Sequence, residues 1–175
     1  VYPKQYLELW STNAELRQRN QLHVKDPSPQ LLAVNGANLM LTSDPVPAGW
    51  TTISTSGYWM LAKKDDAIAP IHAVKNLVTE TSASQISTID PAVTALVAGD
   101  SPLVDANAKV NISVTKRDAT TLRMQVISTG VTAIVTNLQS YPGWRLTIDG
   151  NNASAAQLIV NHAFLGAAVN EGTHV

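Results

Sequence analysis

The sequence predicts a β-rich α+β fold, in which a small α/β N-terminal part packs on a C-terminal antiparallel β-sandwich of jelly-roll type. Three observations predict this class. Short helices with capping residues alternate with short apolar runs before residue 105. Beyond that point apolar and polar residues alternate with a period of two, which is typical of half-buried strands. Turn residues recur there at short intervals, as in all-β sandwiches. We therefore divide the chain into residues 1–104 and 105–175.

The composition allows a sizeable core and excludes some kinds of site. Of the 175 residues 45% are apolar and only 14% are charged, so Ser, Thr, Asn and Gln must supply much of the polar surface. The chain has no cysteine, which excludes disulfides and thiolate metal sites. The net charge is −1 and no basic block is present, so nucleic acid is not expected as a partner. No apolar run approaches the ~20 residues that cross a bilayer.

The first helix is expected near residue 12. Thr12 and Glu15 match the Thr-x-x-Glu capping box that begins many helices. Leu16 and Leu22 would then face inward, with the polar residues 17–19 in solvent.

Two further helices are expected from N-cap residues that precede a proline. Ser28 precedes Pro29, and Asn35-Gly36 ends the apolar stretch that follows. Asp90-Pro91 repeats the pattern, with a helix expected through residues 92–98 until Gly99 stops it.

The strands of the N-terminal part are expected where short apolar runs lie between turn residues. Residues 37–42 are interpreted as a buried strand that follows the second helix. Residues 50–54 and 58–63 are expected to form a hairpin around Ser56-Gly57. Residues 71–79 are expected to form one more strand.

The C-terminal part should contain at least five antiparallel strands. Val110, Ile112 and Val114 alternate with polar residues. Asp149-Gly150 is a strong hairpin turn, because both residue types tolerate a positive φ. The strands are expected within residues 108–114, 122–128, 131–138, 144–148, 158–160 and 163–169.

One stretch of the sequence resembles a signature of YfhO-like bacterial membrane proteins. Residues 140–150 read Ser-Tyr-Pro-Gly-Trp-Arg-Leu-Thr-Ile-Asp-Gly, residues 161–164 read Asn-His-Ala-Phe, and residues 172–174 read Gly-Thr-His. The helix and strand of residues 31–42 are similar to a unit that lies upstream in such proteins. The resemblance covers most of the chain in order and is most specific between Val131 and Val175. Leu165 departs from it, because relatives often carry Arg there.

The resemblance implies a role as part of a longer polypeptide. YfhO-like proteins are polytopic and similar to membrane glycosyltransferases that use polyprenyl-phosphate sugars, with a C-terminal soluble region on the extracytoplasmic side. Their catalytic acidic residues belong to the membrane part, so no catalytic residue is carried over to this chain. The expected partner is the membrane-embedded portion of the same polypeptide, with cell-envelope glycan or polymer as a second. Both ends of the chain also look like cuts in a longer sequence.

The candidate site is the Tyr-Pro-Gly-Trp stretch, residues 141–144. Pro followed by Gly at its centre suits a type II turn. Tyr141 and Trp144 either pack at a corner of the sandwich or form an aromatic platform for a sugar ring, with Arg145 and Asp149 as hydrogen-bonding neighbours. Alternation places Trp144 on the same face as the apolar residues 146 and 148, which favours the structural corner.

No cofactor or metal site is expected. The four histidines lie far apart in the sequence and match no metal-binding spacing. Asp65 and Asp66 would point apart in an extended chain, which is poor geometry for an acid and a base. Three functions remain: a non-catalytic extracytoplasmic accessory domain of a glycosyltransferase-like membrane protein, a carbohydrate-binding module, or a structural or protein-interaction domain.

Overall fold

The computed structural model describes residues 14–17, 21–24 and 28–175, with side chains from residue 28 onward. Strands dominate, and helices are few and short, which confirms the β-rich α+β class. The strands of the described residues are β1 (Ala14–Arg17), β2 (Gln21–Val24), β3 (Leu39–Thr42), β4 (Trp50–Ser56), β5 (Trp59–Lys64), β6 (Ile71–Val74), β7 (Asn76–Thr79), β8 (Thr94–Val97), β9 (Val110–Arg117), β10 (Leu122–Ser128), β11 (Thr132–Gln139), β12 (Thr147–Ile148), β13 (Asn151–Asn152), β14 (Gln157–Val160), β15 (Phe164–Val169) and β16 (Gly172–His174).

A six-stranded sheet forms the centre of the fold, in the order β6-β11-β15-β14-β8-β7. All neighbours are antiparallel except β7 and β8. β6 and β7 lie at opposite edges of the sheet, although only Lys75 separates them in sequence. The sheet must therefore curl until its two edges meet, and it forms a half-barrel. The strand expected over residues 71–79 is thus two strands that serve opposite edges.

The two faces of the curled sheet pack against different layers. Ala133 and Val135 of β11 contribute to the larger core, while Ile134 between them contributes to a smaller core on the opposite face. The larger core also holds Phe164, which is 1% exposed. Leu31 from the helix and Ile86 from the 3₁₀ helix Ala83–Thr88 close this core.

A second layer covers the opposite face of the half-barrel. It is the three-stranded antiparallel sheet β16-β10-β9. Val126 of β10 meets Ile134 and Val169 in the smaller core, and Val110 and Ile112 of β9 pack beside them. Two β-layers therefore pack face to face, but they are not a sandwich of residues 105–175 alone, because the half-barrel also takes strands from before that point.

The helix expected at Ser28-Pro29 is confirmed as α1 (Pro29–Val34). The hydroxyl of Ser28 accepts a hydrogen bond of 3.1 Å from the N–H of Leu31, and Pro29 occupies the first turn. Gly36 follows the helix with φ +66°, as a residue after a helix end often does.

The other two expected helices are wrong. Residues 14–17 and 21–24 pair as the antiparallel strands β1 and β2, with position 16 opposite position 22, while Thr12 lies outside the described residues. Asp90 does cap a turn, because its carboxylate accepts from the N–H of Ala92 at 3.0 Å. The chain then extends as β8, which lies between β7 and β14. A short apolar run fits a buried strand as well as a helix, and here the pairing on both sides decides.

The expected hairpin of residues 50–63 is confirmed as β4 and β5, with Gly57 at φ +60° in its turn. β3 joins them to give the order β3-β5-β4. β3 is not the buried strand that was expected, because Leu39 and Leu41 are both more than half exposed.

The half-barrel takes β6, β7 and β8 from before residue 104 and β11, β14 and β15 from after it. The two expected parts of the chain therefore share one sheet. Among the described residues no helix is long and apolar enough to cross a membrane.

Candidate functional site

A cleft of about 610 Å³ opens between the half-barrel and the β16-β10-β9 sheet. Its volume falls within the range of small-molecule sites. We call it the interlayer cleft. Its floor is an extension of the smaller core and is mainly apolar, formed by Leu122, Met124, Val126, Ile134, Leu138, Leu165 and Val169.

Two of the strands that line the cleft, β10 and β11, have shifts in their pairing register. Between Val135 and Gln139 the register of β11 shifts, so that residues 136–138 lie opposite Leu165 alone. The hydroxyl of Thr136 donates to the carbonyl of Leu165 at 2.8 Å and accepts from the N–H of Leu138 at 3.1 Å, which satisfies backbone groups that the bulge leaves without ladder partners. β10 has a second shift between Arg123 and Met124. Bulges of this kind bend a strand and redirect its side chains.

The loop before β12 supplies one wall of the cleft. Its turn at residues 141–144 is closed by a hydrogen bond of 3.4 Å from the N–H of Trp144 to the carbonyl of Tyr141, with Gly143 at φ +105°. A positive φ at the third position is the type II geometry expected from the sequence. Trp144, Leu146 and Ile148 are half-buried and line the cleft, whereas the residues between them are exposed.

Asp149 ties this loop to the last strand. Its Oδ2 lies 2.8 Å from Nδ1 of His174, and its Oδ1 accepts from the N–H of Val175 at 2.9 Å. The N–H of Asp149 donates to the carbonyl of Val175 at 2.8 Å. We call this arrangement the Asp149–His174 clasp.

The clasp favours the charged form of both partners. The hydrogen bond with His174 lowers the pKa of Asp149 below its usual 3.8, and the N–H of Val175 adds to this effect. The same bond raises the pKa of His174 above its usual 6.5. Each partner therefore stabilises the charged form of the other at the rim of a mainly apolar cleft, where the pair can orient a polar ligand.

Three of the four candidate residues meet at this cleft. Trp144, Arg145 and Asp149 line it. Tyr141 does not belong to its lining and is 43% exposed. Trp144 is also absent from the buried residues of both core clusters.

Sequence reasoning missed Arg123 and His174, which also line the cleft. His174 was visible only as part of the Gly-x-His element, and its pairing with Asp149, 25 residues away in sequence, had no local signal. Arg123 lies at the register shift of β10, which the alternating pattern of that strand does not show.

The Asn-His-Ala-Phe element has a structural role that is separate from the cleft. Asn161 and His162 connect β14 to β15 with φ values of +47° and +71°. The buried Oδ1 of Asn161 accepts from the N–H of Leu96 at 3.0 Å, and its backbone N–H donates to the carbonyl of Leu96 at 2.8 Å. His162 bonds the mostly buried carboxylate of Glu80.

The fold and the cleft define a class: a β-rich α+β domain with a ligand-sized, mainly apolar cleft between two sheets. Within the described part of the chain no group of three or more His, Asp or Glu residues could hold a metal ion. No protein-family model, curated protein or solved structure matches the chain. The function must therefore be inferred from the residues of the cleft and from the segment of residues 140–150, part of which forms one of its walls.

Proposed function

We propose that this chain is a non-catalytic binding domain that holds a stretch of carbohydrate in the interlayer cleft. We further propose that it is an extracytoplasmic accessory domain of a bacterial polytopic membrane protein that resembles polyprenyl-phosphate-sugar-dependent glycosyltransferases. The observation that carries the first proposal is the half-buried Trp144 in the wall of a 610 Å³ cleft, beside the charged rim residues Arg145 and Asp149.

The chemistry of the cleft suits a sugar. A pyranose ring presents a C–H face that packs on an indole ring, and hydroxyl groups around its edge that need polar partners. Trp144 and the apolar floor can meet the C–H face. Arg145 and Arg123 can donate to hydroxyl oxygens, and the Asp149 carboxylate can accept from hydroxyl groups. Few polar groups around an apolar surface are typical of sites that orient a small molecule.

The proposal of an accessory domain is supported by the resemblance of residues 140–150 to the YfhO-like signature, since this segment forms one wall of the cleft. In this proposal the glycosyl transfer belongs to the membrane part of the same polypeptide. The domain would keep the acceptor polymer near that part.

The binding proposal is tested by titrating ¹⁵N-labelled protein with bacterial cell-envelope oligosaccharides. We expect chemical-shift changes at the indole N–H of Trp144 and in residues 143–150. Trp144→Ala should weaken binding by at least about tenfold, because stacked aromatic residues are common hot spots. Trp59→Ala is the matched control, since Trp59 lies on a different sheet and outside the cleft lining. Equal affinity of Trp144→Ala and the unmodified chain would disprove the proposed site.

The membrane link has its own test in the reading frame that surrounds this segment. We expect about ten or more apolar spans of ~20 residues upstream of Val1. A signal peptide alone at that position would remove the link to a transferase. The chain would then be a secreted carbohydrate-binding module.

A further inference from the structure

A second cavity, of about 410 Å³, lies between α1, the β4–β5 hairpin and the turn that precedes β8. We call it the hairpin cavity. Its volume falls within the range of small-molecule sites, as that of the interlayer cleft does. Apolar side chains form most of its walls, and a few polar side chains interrupt them. The lining includes Leu32, Ile68, Ile89, Gln30, Asp66 and Asp90.

The strand register directs Trp50 towards this cavity. Trp50 pairs with Lys64, and Thr52 pairs with Ala62. Alternation therefore places Trp50 and Lys64 on the same face of the hairpin as Ala62, which is fully buried. Trp59 lies on the opposite face, because an odd number of positions separates it from Ala62 along β5. The hairpin thus contributes a half-buried indole to the lining of the hairpin cavity, as the loop before β12 does to that of the interlayer cleft.

The polar side chains of the hairpin cavity can bind hydroxyl groups. One carboxylate oxygen of Asp66 accepts from Lys64, and one of Asp90 accepts from the N–H of Ala92. A carboxylate has room for further donors, so each can also accept from a sugar hydroxyl. The amide of Gln30 can both donate and accept. An indole ring with a few such groups around it is the same chemistry that the interlayer cleft presents.

The two cavities are neighbours, and Asn137 lies between them. Its Nδ2 donates to the carbonyl of Asn35 at 3.4 Å, and Asn35 precedes Gly36, which lines the hairpin cavity. On the other side, Asn137 precedes Leu138, which lines the interlayer cleft. The two linings therefore approach each other to within about 15 Å, since only a few bonded or hydrogen-bonded steps separate Gly36 from Leu138.

Arg117 extends this polar connection towards the interlayer cleft. Its Nη2 donates to Oδ1 of Asn137 at 3.3 Å, and Arg117 pairs with Leu122 of the cleft floor. Arg117 is exposed and Asn137 is half-buried. We call these two residues the polar bridge. A guanidinium and an amide can donate to the hydroxyl and ring oxygens of a sugar, so a carbohydrate that leaves the cleft beside Leu122 meets polar partners.

We propose that the hairpin cavity is a second subsite for the carbohydrate of the interlayer cleft. One linear polymer then occupies the cleft, crosses the polar bridge and places a further sugar ring beside Trp50. This inference rests on the proposed function, and it names the ligand as a polymer chain instead of a single sugar. Two linked subsites raise the affinity for a chain that spans them, because its second contact is intramolecular.

The test compares two lengths of one ligand, a disaccharide and an octasaccharide from the glycan strand of bacterial peptidoglycan. Each is titrated into the ¹⁵N-labelled 175-residue chain, and its affinity is measured at the indole N–H of Trp144. We expect the octasaccharide to bind at least about tenfold more tightly than the disaccharide. The octasaccharide should also shift the indole N–H of Trp50.

Trp50→Ala should remove this tenfold advantage and leave the affinity for the disaccharide unchanged. Gln30→Ala, a milder change on α1, should weaken binding of the octasaccharide alone, by about fivefold, because one hydrogen bond is lost. Trp59→Ala is the matched control. It removes an indole from the same hairpin but lines neither cavity, so it should change neither affinity.

The outcomes separate this inference from the proposed function. Equal affinities for the two lengths at Trp144 would overturn the second subsite and leave the interlayer cleft as the binding site. A length advantage that Trp50→Ala and Gln30→Ala both leave unchanged would overturn it too. If neither oligosaccharide binds, the proposed function fails and this inference fails with it. Circular dichroism confirms the fold of each variant, and Gln30→Ala decides if Trp50→Ala does not fold.

Discussion

Trp144 and Phe164 show how much the surroundings of an aromatic side chain decide its role. Phe164 lies inside the half-barrel and is 1% exposed. Trp144 is half-buried in the wall of the interlayer cleft. Two interpretations of Trp144 followed from the sequence, a packed corner and a sugar platform. Trp144 lines the cleft and belongs to neither core cluster, and the proposed sugar platform is built on this position.

We predict that the two residues differ in their contribution to stability. Phe164→Ala should lower the free energy of unfolding by about 3–5 kcal/mol, as large core truncations do. Trp144→Ala should lower it by only about 1–2 kcal/mol, because a half-buried side chain loses less apolar contact. Urea unfolding followed by circular dichroism measures both. A loss of 3–5 kcal/mol for Trp144→Ala would instead assign Trp144 to a structural corner.

The Asp149–His174 clasp makes part of the stability depend on pH. The pKa of His174 is raised, so its contribution is complete below its usual pKa of 6.5 and is lost as the pH rises through the raised value. The pKa of Asp149 is lowered, so its contribution is present above its usual 3.8 and is lost as the pH falls through the lowered value. The clasp should therefore stabilise the fold most between these two usual values.

The variant His174→Gln tests this dependence. We expect the difference in unfolding free energy between the unmodified chain and the variant to be greatest between pH 3.8 and 6.5 and to shrink at alkaline pH. The measurement is urea unfolding at a series of pH values. His72→Gln is the control, because His72 bonds only backbone carbonyls in the described structure. A difference that stays constant with pH would contradict an ionic clasp.

At the scale of elements, the connection between β14 and β15 joins three strands. Asn161 takes the place of a paired strand residue opposite Leu96 of β8, since it bonds both the N–H and the carbonyl of Leu96. Asn is also the residue type, other than Gly, that most readily takes the positive φ needed here. Asn161 therefore has two roles. It adopts the backbone conformation that the turn requires, and it bonds both backbone groups of Leu96 in the neighbouring strand β8.

We predict that Asn161→Ala lowers the free energy of unfolding by about 2–4 kcal/mol, because it leaves the buried N–H of Leu96 without its acceptor and strains the turn. Asn161→Gly removes the same acceptor but permits the positive φ. Its loss should be smaller by about 1 kcal/mol. Thermal or urea unfolding of both variants gives the comparison. Equal losses would show that backbone strain contributes nothing at this turn.

The elements that the sequence predicted correctly carry their own local signals. α1 has a capping Ser28 and a terminating Gly36, and β4 and β5 have Gly57 between them. β8 has no such signal, because a proline-led turn followed by four apolar or β-branched residues suits a helix or a buried strand. Its parallel pairing with β7 and its contact with β14 were needed to decide.

At the scale of the whole molecule, the curled sheet determines where the two cores and the interlayer cleft lie. Its two edges meet at Lys75, whose N–H donates to the carbonyl of Val93 at 2.8 Å, as does that of Asn76 at 3.0 Å. The inside of the curl holds the larger core. The outside faces the second layer, and the interlayer cleft opens where those two layers separate.

The candidate site could be predicted in part. The motif at residues 141–149 carries turn residues and an aromatic residue close together, so Trp144, Arg145 and Asp149 were found together. Tyr141 was included because it belongs to the same Tyr-Pro-Gly-Trp stretch as Trp144, although it lies outside the cleft lining. His174 and Arg123 come from strands that pair with distant parts of the chain, which local patterns do not reveal.

The sequence by itself determined the β-rich class, the helix α1 with its cap at Ser28, the hairpin turns, and the alternation of apolar and polar residues in β9 and β10. These features depend on interactions within a few residues, which the local pattern records. Only the tertiary structure decided how the half-barrel curls around Lys75, the extended form of β8 and the exposure of Leu39 and Leu41 on β3. The physical reason is that strand pairing and burial are set by partners far away in the chain, and a short apolar run is compatible with several of them.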